Sequence, residues 1–173
     1  EKSQIAKEYV KFNERSMIRL LGDMRAYNYV ITPVHDFDKV IYKIRPIDFD
    51  QQCFEGKFNI YRPQFFIENK PMMDIVRNKL SHDSVLQYKI EERSIVARRI
   101  ISAENRLNDI IDVMKKDTIS IKKNFHQLKK EIYDFTKDET FKKSKNMGDI
   151  MKASFNYVRK HYESLNLSKL IRS

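Results

Sequence analysis

Residues 18–50 read IRLLGDMRAYNYVITPVHDFDKVIYKIRPIDFD, and the fold turns on how this stretch is read. Tyr29, Val30, Ile31 and Thr32, and then Val40, Ile41, Tyr42 and Ile44, are β-branched or aromatic. Between them lies the turn-prone Pro33-Val34-His35-Asp36-Phe37-Asp38, so the pattern predicts a β-hairpin of two short strands. Pro46 lacks a backbone donor, which places the second strand at an edge or breaks it there. That strand delivers Asp48 at its end. Asp23 and Asn28 stand five residues apart in the loop that leads into the first strand.

Upstream, Ile5, Tyr9, Phe12, Met17, Leu20 and Leu21 recur at helical spacing among Lys, Glu and Arg, which predicts an amphipathic helix over 3–21. Gly22 is the expected stop, because glycine takes the left-handed conformation that commonly ends a helix. Downstream, residues 51–70 are polar and aromatic without a clean period, and read as a long loop with a short helix near 63–69. All four prolines fall before residue 72, and beyond it the pattern is helical. Met72, Ile75, Val76 and Leu80 make one apolar face. Ser84 or Asp83 would cap a long helix over 85–114, and Thr118 or Ser120 the next, which holds Phe125, Leu128, Ile132 and Phe135. Asp149 would cap a last helix with Ile150, Met151, Phe155, Val158 and Tyr162 inside. The expected class is α+β, mostly α: a leading helix, a small hairpin and a following helical bundle.

Charged residues make up 34% and hydrophobic ones 41%, proportions of a folded soluble chain rather than a disordered one. No apolar run approaches the ~20 residues of a membrane helix, and no secretory signal pattern is present. Cys53 is the single cysteine, so no internal disulfide can form, and a reducing, cytoplasmic setting without membrane contact is expected. The sequence starts at Glu1 inside a helical pattern, which reads as a piece of a longer chain. Net charge is +10, unevenly spread: residues 115–173 hold fifteen Lys and Arg against seven Asp and Glu, whereas residues 1–114 hold nineteen against seventeen. The basic character therefore belongs to the C-terminal third.

Phosphoryl transfer asks for a carboxylate that orients or deprotonates the acceptor hydroxyl, and for oxygen ligands that hold Mg²⁺ against the phosphates. Mg²⁺ usually takes one or two carboxylates together with phosphate oxygens and water. A carboxylate and an amide five residues apart in a loop can face one cavity, and a second carboxylate at a neighbouring strand end can complete the metal site. Asp23, Asn28 and Asp48 have that spacing. The run Gly22-Asp23-Met24-Arg25-Ala26-Tyr27-Asn28-Tyr29-Val30-Ile31, followed by Ile47-Asp48-Phe49-Asp50, resembles the catalytic loop and metal-binding triplet of protein-kinase-like phosphotransferases.

The resemblance implies that Asp23 is the catalytic base and that Asn28 and Asp48 bind Mg²⁺ and, through it, ATP. Asp50 would be a further metal ligand or a solvated loop carboxylate. Arg25 would sit beside the transferred phosphate. No His-Arg precedes Asp23, Asp50 stands where Gly is usual, and no Ala-Pro-Glu follows. Those departures point to the atypical branches, the aminoglycoside and choline kinase-like enzymes or the HipA-like serine/threonine kinases. The implied reaction moves the γ-phosphoryl of ATP to a hydroxyl acceptor on a protein or small molecule. The Gly-rich loop and strand lysine of an N-terminal lobe are not among these residues, so the chain by itself is expected to be inactive. On this reading residues 1–117 are a kinase-like C-terminal lobe and 118–173 a basic helical extension packed on it.

The alternative is a non-catalytic helical interaction module or pseudokinase that binds nucleic acid or a protein through its basic helices. Lys122-Lys123, Lys129-Lys130 and Lys142-Lys143 lie among Phe125, Tyr133, Phe135 and Phe141. Those aromatics fall on the core period, whereas stacking platforms for bases are exposed, so solvated lysine faces are favoured. His35, His82, His126 and His161 lack metal-ligand spacing.

Overall fold

A computed structural model describes residues 1–54, 56–116 and 121–172, with side chains as far as Glu163. The fold is α+β and mostly helical, with one two-stranded antiparallel sheet among the described residues. Packing divides the chain into two compact units, residues 1–52 with 59–92 and residues 53–58 with 93–173. The boundary expected at 117/118 falls on residues outside those described. Among the described residues no helix is long and apolar enough to cross a membrane.

The first unit opens with α1 (Lys2–Ile18), which buries Ala6, Tyr9, Val10 and Phe12 as the helical spacing predicts. Its end differs from expectation. Leu20, not Gly22, takes the left-handed conformation (φ 52°). The Leu21 N–H reaches the Ser16 carbonyl at 2.8 Å and the Leu20 N–H the Met17 carbonyl at 3.3 Å, the paired bonds of a Schellman end. Leu20 accepts the strained φ because its side chain is buried. Gly22 is needed for another reason: a Cβ there would lie 2.6 Å from the Gln51 carbonyl oxygen.

The hairpin pairs β1 (Tyr29–Asp36) with β2 (Lys39–Pro46), from Tyr29 opposite Pro46 to Asp36 opposite Lys39. The turn is Phe37-Asp38 alone, shorter than the six residues expected, with Phe37 at φ 52°. A two-residue loop with its first residue left-handed matches the twist of the strands. Antiparallel ladders turn alternate residues toward and away from the partner strand. The Ile47 N–H donates to the Asn28 carbonyl (2.9 Å), which continues the ladder one pair past its base. Ile44 instead donates to Glu8 Oε1 (3.1 Å) and accepts from Arg15 Nη2 (3.2 Å), so it faces away from β1 toward α1. Pro33 and Pro46 occupy outward positions, where the ladder loses nothing by a missing N–H.

Three short 3-10 turns, Phe58–Tyr61, Pro63–Phe65 and Ile67–Asn69, stand where one short helix was expected. α2 (Lys70–Lys79) then buries Val76, with Met72, Met73, Ile75 and Leu80 packed on the core of α1 and the hairpin. α3 (His82–Ser102) is capped by Ser81, whose hydroxyl accepts the Ser84 N–H at 3.1 Å, rather than by Ser84 or Asp83.

The expected long helix breaks at Ala103, and α4 (Glu104–Met114) follows. At the break the Ser102 hydroxyl donates to the Arg98 carbonyl (2.6 Å), a local bond that competes with helical continuation. The second unit continues with α5 (Lys122–Thr136), α6 (Glu139–Lys142) and α7 (Met147–Arg172). Thr118 and Ser120, the expected caps of α5, lie outside the described residues. α7 begins on Asn146 rather than Asp149: Asn146 Oδ1 accepts the Asp149 N–H (2.8 Å) and Asp149 Oδ2 accepts the Lys145 N–H (2.9 Å). This is a reciprocal box of the kind that closes helix N-termini. Phe135, expected inside, is half exposed and rests on Phe58.

Candidate functional site

The loop between α1 and β1 is wound tightly about Asp23, which is left-handed (φ 58°), a conformation short polar side chains tolerate best. The Asp23 N–H donates to the Ile60 carbonyl (3.0 Å), and its own carbonyl accepts the Arg25 N–H (2.9 Å). The Asn28 N–H closes the turn on the Arg25 carbonyl (2.8 Å). Buried Asn28 then donates Nδ2–H to the Asp23 carbonyl (2.7 Å) and to Asp23 Oδ2 (3.3 Å). The amide nitrogen is thus turned to Asp23, and the network leaves the Asn28 oxygen uncommitted.

Asp48 and Asp50 come alongside this loop through the backbone. At one end the Asn28 carbonyl holds the Ile47 N–H; at the other Leu21 bridges to Gln52, beside the tight approach of Gly22 to Gln51. The segment carrying Asp48 and Asp50 therefore runs next to the one carrying Asp23 and Asn28, pinned at both ends. Asp48 is partly exposed and its Oδ1 accepts the Asp50 N–H (3.0 Å), which leaves Oδ2. Asp50 is exposed.

Arg25 is committed to two carboxylates. Its Nε donates to Asp23 Oδ1 (2.6 Å) and its Nη1 to Glu68 Oε1 (3.0 Å), while the guanidinium lies 4.7 Å from the centre of the Phe66 ring. Those hydrogen bonds, Asp23 first, push its pKa still higher. Glu68 is held below the ordinary carboxylate range by its own backbone N–H and by Arg25.

Two residues of this arrangement were not read from the sequence. Glu68 had no visible partner forty-three positions away from Arg25. Asn69, just ahead of α2, makes no capping bond. Its fully buried amide instead donates to the carbonyls of Met24 and Pro63 (both 2.8 Å) and accepts from the Tyr29 hydroxyl (2.9 Å). It ties the loop, the hairpin and the 3-10 turns together. Burial pushes the Tyr29 phenol up to about 12.

Among the described residues no three His, Cys, Asp or Glu side chains are grouped to hold a metal. Asn28 Oδ1 and Asp48 Oδ2 accept no hydrogen bond from a described residue. In the basic helices Phe125 and Phe141 are buried, and Tyr133 has the ammonium groups of Lys137 and Lys142 at 5.9 and 5.0 Å from its ring. Compared with protein-family models, curated proteins and solved structures, the chain gives no match.

Proposed function

We propose that this chain is the C-terminal lobe of an atypical kinase-like phosphotransferase. The observation that carries the reading is the joint between Asp23 and Asn28. One amide holds the main chain and carboxylate of the candidate base with its nitrogen and keeps its oxygen for a cation. The Asp48 segment is registered beside it by the Ile47–Asn28 bond.

In this reading Asp23 orients the acceptor hydroxyl and takes its proton, Arg25 fixes the Asp23 carboxylate, and Glu68 fixes Arg25. Asn28 and Asp48 would hold Mg²⁺, which supplies charge neutralisation on the transferring phosphoryl group. Asp50, exposed at the rim, is available as a further ligand. The nucleotide-covering loop and strand lysine of such enzymes are not among these residues, so the test belongs on the natural full-length protein.

That protein should melt at higher temperature with Mg-ATP than with either Mg²⁺ or ATP alone. Asp48→Asn should remove the difference, and Asp23→Ala should abolish phosphate transfer while the thermal shift remains. No nucleotide-dependent stabilisation, together with an indifferent Asp48→Asn, would end the reading.

A further inference from the structure

The outer edge of β2 is covered along only part of its length. At Ile44 two side chains of α1 take the places a third strand would fill, Glu8 on the N–H and Arg15 on the carbonyl. Val40 and Tyr42 turn the same way by the alternation of the ladder, and no described residue hydrogen-bonds to either backbone. A cavity of about 270 Å³ lies along this edge, bordered by Tyr42 and Lys43 of β2 and by Lys7, Glu8 and Lys11 of α1.

Its charge is uneven. Glu8 is committed to Arg15 at 2.7 Å, and Lys11 to Glu91 at 3.1 Å. The Lys7 ammonium rests 4.8 Å from the centre of the Tyr88 ring, and Lys43 is exposed. Desolvation, and then the nearby Glu1 carboxylate, raise the pKa of the Tyr42 phenol, and Glu1 keeps its negative charge there. Beside the open backbone groups Lys7 and Lys43 stand against the single carboxylate of Glu1, so the balance of charge is positive. The opposite edge of the sheet is closed to the same use by Pro33, which faces outward directly across from Tyr42 and has no N–H to give.

We propose that the β2 edge at Val40 and Tyr42 docks an extended acidic peptide as a third strand. Main-chain bonds to both groups of Val40 and Tyr42 supply the attraction, and alternate acidic side chains reach Lys7 and Lys43. The site is independent of the nucleotide reading. Because Glu8 and Arg15 already occupy Ile44, the added strand is short, and binding is weak and salt-sensitive.

The test titrates a blocked hexapeptide of alternating glutamate and valine into the isotope-labelled chain and follows its amide signals. The Val40 and Tyr42 amides should shift saturably, less so at raised salt. Val40→Pro copies Pro33 on this edge and removes an outward N–H without touching the ladder; it should weaken binding about tenfold with the remaining hairpin signals unmoved. Should that variant lose its fold, Lys43→Glu at the exposed neighbour replaces it, with the same direction expected. Lys7→Glu with Lys43→Glu should transfer preference to a lysine–valine hexapeptide. Silent Val40 and Tyr42 amides, equal binding of the lysine peptide by the unaltered chain, or stronger shifts at the same amides with oligothymidylate would each overturn the proposal.

Discussion

The two units spend their interiors differently. In the first, Glu8, Asn13, Glu14, Ser16, Asn28, Asn69 and Glu92 are buried; in the second, the described buried polar residues are Ser144 and Ser154. Helices α4 to α7 bury Ile111, Phe125, Leu128, Ile132, Ile150 and Val158, leave Ile110 and Phe135 half exposed, and keep polar work at their ends, in caps such as Asn146 and Asp138. The first unit places carboxylates and amides inside, where each needs a partner to offset its desolvation. Buried polar groups of this kind hold loops in set positions, and here Asn28 and Asn69 hold the loop bearing Asp23. The contrast marks the first unit as the one whose interior is held by polar contacts.

That contrast can be broken most severely at Arg15. It joins Glu8 (2.7 Å) and Glu92 (3.4 Å), whose side chains are 5% and 4% exposed. Arg15→Met would strand two buried carboxylates and should cost about 3–5 kcal/mol in urea unfolding, more than any single polar substitution in the second unit.

Next comes the Tyr29–Asn69 contact, read through pH. The folded-state phenol lies at about 12 against an ordinary 10.0. A neutral form favoured by folding gives stability that is complete below pH 10 and lost as pH rises through 12. Tyr29→Phe should flatten that alkaline loss in thermal melts, at the expense of the bond to Asn69.

Glycine substitutions sharpen the comparison from the other side, since close backbone approach occurs in both units. A Cβ at Gly22 would meet the Gln51 carbonyl oxygen at 2.6 Å, and one at Gly148 the Lys115 nitrogen at 2.7 Å. Each alanine variant should lose about 1–3 kcal/mol, but only Gly22→Ala should also disturb the amide signals of Asp23 and Asn28. The smallest effect is expected at the α7 cap, where Asn146→Ala should cost about 1 kcal/mol and leave the first unit's signals unchanged.

Much of the fold was legible because periodicity and β-branching report burial directly. α1, the hairpin and the face of Met72, Ile75, Val76 and Leu80 all follow from side-chain spacing. Helix ends were less legible. Gly22, Ser84 and Asp149 are each good terminators by residue type, yet Leu20, Ser81 and Asn146 do the work. Local choices among neighbouring polar residues are decided by tertiary packing. Of the site, Asp23, Asn28 and Arg25 are joined within one loop, a distance over which spacing is informative. Glu68 and Asn69 reach it from a segment without period, and nothing local marks a side chain that turns inward to satisfy distant carbonyls.

The short segment 53–58, which packs with the second unit, carries a consequence for how this chain can be taken apart. Phe58 packs at a tilt against Phe135 with ring centres 5.3 Å apart, and its N–H donates to Glu131 at 2.7 Å. Neither unit is therefore a continuous stretch of polypeptide. A fragment starting at Arg93 would lack an aromatic its own helix is built to receive, and a fragment ending at Glu92 would carry that aromatic with nowhere to put it. A cut between Glu92 and Arg93 therefore does not separate the two units, because it parts Phe58 from the helix it packs on.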